Sequence, residues 1–489
     1  MTRPSRTLHA APHLVLLRLL MALFLAASGL LAVGSHSAHA GTSTSGFRGV
    51  NWADKRDNFV NGVLYPSGLT SSDTHATAAV VAERVVGQLH GLTGSNTVRM
   101  PVNEPTVNTW WGPYSGAIDG ALGKGKVILS YWAYSGGKPA GTTAFYQMWD
   151  TVVETYGADP DVYFEVINEP YGYSTTDLNN LYHDWLNRYP AVPRDRVILD
   201  GAGLATNVAA VGGDTRLDGT LLAVHYYTFF VGDPYESENE WANGIASLIG
   251  NYADRTIATE WGGPMGPGSK NGVSYDSVDY SVPSGSFWAD YLRGVSSKLR
   301  ALGVGSVYWP GLRDGDWYSL TTRTGEGSAI TLSVVNPSGL ARLQYAWGTG
   351  TAGSTTTQLR NVDTGLDVDG MGRTASGSAT GQWKPSGSAN QQWIVENYGA
   401  YVRLKNGKTG LYLDSAGLTT NGSQVRQYAD TGSTGQQWSV TTYGNTVLIK
   451  NRATGMYLDG MGRTTNGADL GQWAYSKSTA QQWRILPAS

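Results

Sequence analysis

The 489-residue chain has no cysteine. That excludes disulfide cross-links, thiolate nucleophiles and thiolate metal sites. Histidine is nearly as scarce. Of eight, four (His9, His13, His36 and His39) fall in the first 40 residues. His75, His90, His183 and His225 stand far apart without ligand spacing, so neither a metal centre nor a cofactor is expected. Charged residues make up 15% of the chain and the net charge is −3, which offers nothing to a polyanion, so nucleic acid is not an expected partner. There is one long hydrophobic run, Leu19 to Val33, with Arg3, Arg6 and Arg18 before or beside it and Ala38-His39-Ala40 after it. This pattern reads as a secretory signal peptide over residues 1–40, cleaved ahead of Gly41. The run is short for a membrane span and no later stretch is apolar enough. The expectation is therefore a secreted, extracellular protein that keeps no membrane attachment after cleavage. With no thiol and few imidazoles, catalysis falls to carboxylates.

What is abundant is repetition. Gln-Gln-Trp occurs at 391–393, 436–438 and 481–483, at a constant step of 45 residues. Asn361, Asn406 and Asn451 keep that step, as do Asp369, Asp414 and Asp459, and Trp383, Tyr428 and Trp473. Three units of short alternating strands with Gly/Ser/Thr turns predict a threefold all-β body over residues 358–489. Ahead of it, the Gly/Ser/Thr stretch 348–357 reads as a flexible linker. Gly407-Lys408-Thr409 looks like the end of a phosphate loop, but Val402 stands where that loop needs glycine.

Residues 41–347 follow another pattern. Short apolar strands are expected near 48–51, 96–101, 126–130, 162–167, 197–199, 221–225, 255–259 and 305–309, with helical stretches between them. Eight strand–helix units in about 300 residues predict a (β/α)₈ TIM barrel. The fold class is thus multidomain, a (β/α)₈ barrel followed by a threefold all-β domain. In such a barrel, functional side chains follow the strands at their C-terminal ends. Glu169 lies two residues past Ile167, and Glu260 closes "RTIATE". Two carboxylates facing each other across one barrel mouth are what glycoside hydrolysis requires. The tripeptide Asn-Glu-Pro occurs twice, at 103–105 and 168–170. Glu104 follows the second strand, 156 residues before Glu260, whereas Glu169 precedes it by 91. Glu104 is read as a residue of the cleft rim or of a turn, and Glu165 as an inward structural carboxylate.

Both parts resemble known families. "FRGVNW", "NTVRMPV", "VINEP", "HYY", "ATEWG" and "VYWP" together resemble glycoside hydrolase family 5, of the retaining (β/α)₈ clan. That resemblance implies Glu169 as acid/base and Glu260 as nucleophile, with the carboxyls about 5–5.5 Å apart. It also implies Asn168 on the sugar 2-hydroxyl, Arg99 and Tyr227 holding Glu260 ionised and aimed, His225 on the substrate or the acid/base, and Trp309 under the −1 sugar. The chain departs from the family after strand three, where Ser130-Tyr131-Trp132 replaces a D-x-H type ending. Trp132 then adds an apolar wall to the substrate site. The repeat resembles the ricin-type β-trefoil, carbohydrate-binding module family 13, without that family's usual disulfides. It implies a core role for the Gln-x-Trp tryptophans and sugar sites at Asp369 with Trp383, Asp414 with Tyr428, and Asp459 with Trp473. Asn390 resembles that family's extra polar ligand in the first unit, where the others have Gly435 and Ala480.

The reading is a monomeric, secreted, retaining β-glycoside hydrolase with a sugar-binding trefoil, its partner an oligo- or polysaccharide or a glycoside. Aromatic residues after the strands (Trp110, Trp111, Tyr114, Tyr131, Trp132, Tyr134, Tyr171, Tyr173, Trp261, Trp317, Tyr318) predict a stacking rim, bordered by the Gly/Ser-rich stretch 262–285. Such a rim equally suits an aryl aglycone, so a rutinosidase-like, disaccharide-releasing β-glycosidase on flavonoid glycosides stays open. A lectin with an inactive barrel and a toxin-like lectin fusion are the rival classes.

Overall fold

The computed structural model describes residues 44–56, 60–133, 137–230, 237–270, 273–281, 286–349, 356–398, 401–443 and 446–487. The expected signal peptide, Tyr134 and residues 350–355 of the expected linker lie outside the described residues.

Eight parallel strands close into a barrel: β1 (Arg48–Trp52), β2 (Thr97–Val102), β3 (Lys126–Tyr131), β4 (Val162–Glu165), β5 (Val197–Asp200), β6 (Leu221–Tyr226), β7 (Thr256–Trp261) and β8 (Gly305–Leu312). All eight apolar runs picked from the sequence form these strands, with ends moved by one to three residues. The runs are apolar because parallel strands are buried on both faces. Outward residues such as Val98, Met100, Val127, Leu129, Phe164 and Leu199 pack under the helices. Inward Phe47, Ile128, Ile198, Leu221, Ala223, Ile257 and Val307 form a separate apolar plug. The next inward positions, toward the strand ends, are polar: Asn51, Arg99, Ser130, Glu165, Asp200, His225 and Thr259, all buried.

The helices between the strands start and stop where local chemistry dictates. Helix His75–Thr93 opens on a capping box, with Thr74 accepting from the Thr77 N–H, and ends on Gly94 in the left-handed region at φ 77°. It lies close against helix Glu104–Leu122. A Cβ at Gly116 would sit 2.1 Å from the His75 carbonyl oxygen, so only glycine permits that approach.

β7 carries one extra residue relative to β6, since Ala223 pairs with Ile257 but His225 pairs with Glu260. The shift against β8 falls at the same place, with Ser306 on Ala258 and Tyr308 on Trp261. This bulge breaks the in–out alternation and turns both Thr259 and Glu260 to the barrel interior.

The C-terminal part is built of three 45-residue units. Trp393, Trp438 and Trp483 are fully buried, and their indole N–H groups donate to Val368, Leu413 and Leu458 carbonyls at 2.9–3.0 Å. They form one core with Leu359, Val395, Leu404, Val425, Ile449 and Leu470. Buried glutamines stitch unit to unit: Gln382 donates to Gly460, Gln427 to Gly370 and Gln472 to Ser415. Asn361, Asn406 and Asn451 each close a turn, accepting from two backbone N–H groups and donating to a buried carbonyl. Their repetition is therefore structural, not a sign of ligand binding.

Candidate active site

The two Asn-Glu-Pro tripeptides have opposite fates. At 103–105 Asn103 is a helix N-cap, its Oδ1 accepting from the Thr106 N–H at 3.0 Å. Glu104 is the first helical residue, buried, and accepts from the Tyr131 hydroxyl at 2.7 Å. The expected rim or turn residue is thus a packed carboxylate at a helix start, where negative charge suits the backbone N–H groups. At 168–170 the chain leaves β4 differently. Glu169 takes φ 48°, a left-handed conformation that costs a non-glycine residue about 1–3 kcal/mol. The turn is held by the Asn168 N–H on the Tyr131 carbonyl at 2.9 Å and the Glu169 N–H on Asp200 Oδ2 at 3.0 Å. The strained geometry projects Glu169 into the mouth, with its side chain 15% exposed.

Arg99 is the hub beneath it. Its guanidinium donates through Nε and Nη2 to both oxygens of Glu165, through Nη1 to Asn51 and to Glu260 Oε1 (2.5 Å), and through Nη2 to Ser130 and to Asn168 Oδ1. The Tyr227 hydroxyl donates to Glu260 Oε2 at 3.0 Å. His225 Nδ1 lies 3.0 Å from Glu169 Oε1 and Nε2 lies 3.0 Å from Thr259 Oγ1. Carboxylate oxygens of Glu169 and Glu260 approach within 4.8 Å of each other and of a His225 ring nitrogen. Trp132 and Trp309 meet at 5.6 Å and join Tyr227, Ala53, Val60 and Leu64 in an apolar wall at the same end of the barrel.

Glu169, Glu260, Arg99, Asn168, His225, Tyr227, Trp309 and Trp132 therefore gather at one barrel mouth. The structure adds Asp200, Thr259, Asn51, Ser130 and the half-exposed Phe229, whose ring stacks on Tyr227 at 4.9 Å. Asp200 had a signal in hindsight, since it ends an apolar strand as Glu260 does. The expected aromatic rim is largely core instead. Tyr114, Tyr131 and Trp261 are fully buried and Trp110 nearly so, while Tyr171 is half exposed. The Gly/Ser-rich stretch includes a small hairpin, Gly268–Lys270 with Val273–Tyr275.

Four carboxyl groups share this space with two cations, and the balance sorts them. Burial alone would neutralise Glu165, but Arg99 and His225 hold it well below the usual carboxylate range. Burial and the Glu165 charge push Asp200 far above its ordinary value. Burial lowers His225, yet Glu260, Glu165 and Glu169 outweigh it and raise the imidazole to about 10. Glu260 is raised by burial and by Glu169, against the opposing pull of His225 and Arg99. Arg99 thus acts in the expected direction on Glu260 but does not set the net shift. Two triplets, Glu165/Asp200/His225 and Glu169/His225/Glu260, have ligand atoms close enough to hold a cation. The Arg99 guanidinium and the His225 proton already supply the positive charge there, and a metal would have to displace the latter.

A charged His225 has a measurable consequence. Its folded-state pKa lies above the unfolded value of 6.5, so its contribution to stability is complete below that pH and lost as pH rises toward about 10. The barrel's thermal transition should fall across that window, and His225→Gln should flatten the fall. A wild-type transition as high at pH 10 as at pH 6 would remove the imidazolium from this account.

In the trefoil the seven expected residues lie at three separate places, one per unit. Asp369 pairs with Gly381, and Trp383 stands two residues on along the same ladder; Asp414/Tyr428 and Asp459/Trp473 repeat the arrangement. Acid and aromatic therefore share a sheet face. One oxygen of each aspartate accepts from the N–H two residues on, at 2.6–2.7 Å, fixing Met371, Ala416 and Met461 at positive φ. In the first unit, the Asn390 side-chain oxygen is buried without a partner among the described residues. In the second, Gly435 closes against Asp414, where a Cβ would meet Oδ1 at 2.6 Å.

The comparisons agree with this division. The family model described as Cellulase (glycosyl hydrolase family 5) matches residues 64–309, and that described as Ricin-type beta-trefoil lectin domain-like matches 343–428 and 434–489. No curated protein matches the chain. Among solved structures, XacCel5A is 15% identical, covering 62% of this chain and 98% of that one, with a TM-score of 0.43. ThreeFoil, a designed 3-fold symmetric protein, is 30% identical over 27% of this chain and 97% of its own, at a TM-score of 0.26. The exo-beta-1,3-galactanase 1,3Gal43A from Clostridium thermocellum is 28% identical over 27% of this chain and 30% of that one, at 0.27. With a family match over half its length and the matching fold, the chain belongs to glycoside hydrolase family 5 and carries a ricin-type β-trefoil lectin-like domain.

Proposed function

We propose that the chain is a secreted β-glycoside hydrolase that works by double displacement with retention, and that its trefoil holds carbohydrate near the barrel. The observation that carries this is the approach of Glu169 and Glu260 oxygens to within 4.8 Å. So close an approach of one oxygen pair favours the retaining carboxyl separation of about 5–5.5 Å over the about 6.5–9.5 Å of an inverting site. Glu260 attacks the anomeric carbon as the glycosidic oxygen takes a proton from Glu169 and leaves. Glu169 then removes a proton from the water that attacks the glycosyl-enzyme carbon and frees Glu260. Tyr227 and Arg99 hold the two Glu260 oxygens, so one geometry is presented for attack. Arg99 grips Asn168 by its oxygen, which leaves the amide NH₂ for a sugar hydroxyl. Trp132 has a buried indole N–H with no partner among the described residues, available to a substrate oxygen beside the Trp309 face. The substrate class is a β-linked oligo- or polysaccharide. The apolar wall at Trp132, Leu64 and Val60 also supports the second reading, disaccharide release from aryl or flavonoid glycosides.

The test is stereochemical. Proton NMR of the first product from an aryl β-glycoside should show the β anomer before mutarotation, and first appearance of the α anomer would overturn the proposal. Glu169→Gln should slow turnover of poor leaving groups by about 10²–10⁴-fold. Glu104→Gln should leave most activity, and an equal loss there would mean the wrong tripeptide carries the acid.

A further inference from the structure

The three trefoil units are alike in sequence step but not in what lies beside their acid–aromatic pairs. In the third unit Tyr457 stands directly across the ladder from Trp473, on the same face as Asp459. Its ring meets that of Tyr475 at 5.2 Å, and the Tyr475 hydroxyl lies near that of Tyr443. Trp473, Tyr475 and Tyr443 are 36%, 44% and 39% exposed. Four aromatic rings thus run on from the Asp459 carboxylate across one surface.

The other units have closed this surface. In the second, Asp430 takes the place of Tyr475, and Arg403 takes that of Leu448. Arg403 lies between the rings of Tyr398 and Tyr412 (4.8 and 4.4 Å) and bonds Asp430 and Glu396. In the first, Asp367 takes the place of Tyr457, is fully buried and pairs with Arg360 at 2.8 Å; Pro385 takes the place of Tyr475. Charge pairs occupy in two units what tyrosines leave open in the third.

We infer that the third unit holds an accessory subsite, built by Tyr457, Tyr475 and Tyr443 beside the Asp459–Trp473 pair, that takes a second and further pyranose ring of a linear oligosaccharide. The inference rests on reading Asp459–Trp473 as a sugar site. Tyrosine suits the role because its ring face stacks on sugar C–H groups while its hydroxyl reaches the ring's hydroxyls. The register places Tyr457 one ladder step from Trp473, a spacing comparable to one sugar residue of a glycan. The first and second units then bind terminal or single sugars, and only the third reads chain length.

The test uses the full chain with Glu260→Ala to prevent hydrolysis, Trp132→Ala with Trp309→Ala to weaken sugar binding at the barrel mouth, and Trp383→Ala with Tyr428→Ala to silence the other two units. Calorimetric titrations use four tetrasaccharides (cello-, manno-, xylo- and β-1,3-galacto-) and their monosaccharides. In at least one series the tetrasaccharide should bind roughly 10-fold tighter than the monosaccharide, about the worth of an added aromatic contact. Tyr475→Ala with Tyr443→Ala should abolish that ratio and leave monosaccharide affinity unchanged, and the matching Phe changes should retain most of it. Adding Trp473→Ala to the unsubstituted tyrosines should weaken both ligands. A ratio that survives removal of the tyrosines overturns the accessory subsite alone. Indifference to Trp473→Ala, or no binding in any series, overturns the underlying sugar site with it.

Discussion

Glu260→Ala should lower turnover of an aryl β-glycoside by on the order of 10⁴-fold or more without loss of fold. The barrel tolerates the change because Arg99 keeps its two bonds to Glu165 and Tyr227 stays in the apolar wall. Removing the side chain leaves a gap facing the anomeric carbon. Azide placed there should attack from the face Glu260 used, expel the aryl oxygen with its bonding electron pair and give the α-glycosyl azide. Added azide should therefore restore part of the rate with a dinitrophenyl leaving group, which needs little help from Glu169. A β-glycosyl azide would assign Glu260 to the acid/base role instead, and near-normal activity without azide would remove it from the chemistry.

The second large effect concerns stability. Arg99→Met should cost about 3–5 kcal/mol, because it leaves Glu165 and Glu260 buried without their shared cation. Thermal unfolding of the full chain should show the barrel transition shifted down and the trefoil transition in place. Adding Glu165→Gln to Arg99→Met should recover part of the loss, since the uncompensated charge is gone. The pH dependence should also reverse. In the wild type Glu165 has a depressed pKa, so its contribution is present above its ordinary value of 4.5 and lost as pH falls. Without Arg99 burial dominates, the pKa rises above the unfolded value, and the variant gains stability relative to the wild type as pH falls. A double variant no more stable than Arg99→Met would show that the cost lies in packing rather than charge.

Much of this site was legible because its parts obey short-range rules. The apolar runs had to be strands of a parallel sheet, and residues just past them had to face one mouth. Glu169 and Glu260 are reachable by that logic, whereas Asn168 and His225 follow from the family resemblance. The hub was legible only in part. Arg99 could be matched to Glu260, yet its firmest partner is Glu165, and Asp200 and Thr259 complete the network from two other strands. The aromatic rim misled because clustering in sequence does not separate a residue that lines a cleft from one that packs beneath it. Tyr131 and Tyr114 follow strands as Trp132 does, but helix packing buries them completely.

The amino-acid sequence by itself determined the number of strands, the threefold step and the order of the two carboxylates, because each depends on periodicity along the chain. Only the tertiary structure decided which way those groups point. A strict alternation would have turned Glu260 outward after Thr259. The extra residue in β7 turns both inward, and its place follows from how β7 must pair with β6 on one side and β8 on the other. Likewise the same Asn-Glu-Pro caps a helix at 103–105 and breaks from a strand at 168–170 because of what waits beside it. Thr106 offers its N–H to Asn103, whereas Asp200 and the Tyr131 carbonyl, from strands distant in sequence, hold Glu169 in a conformation it would not adopt alone.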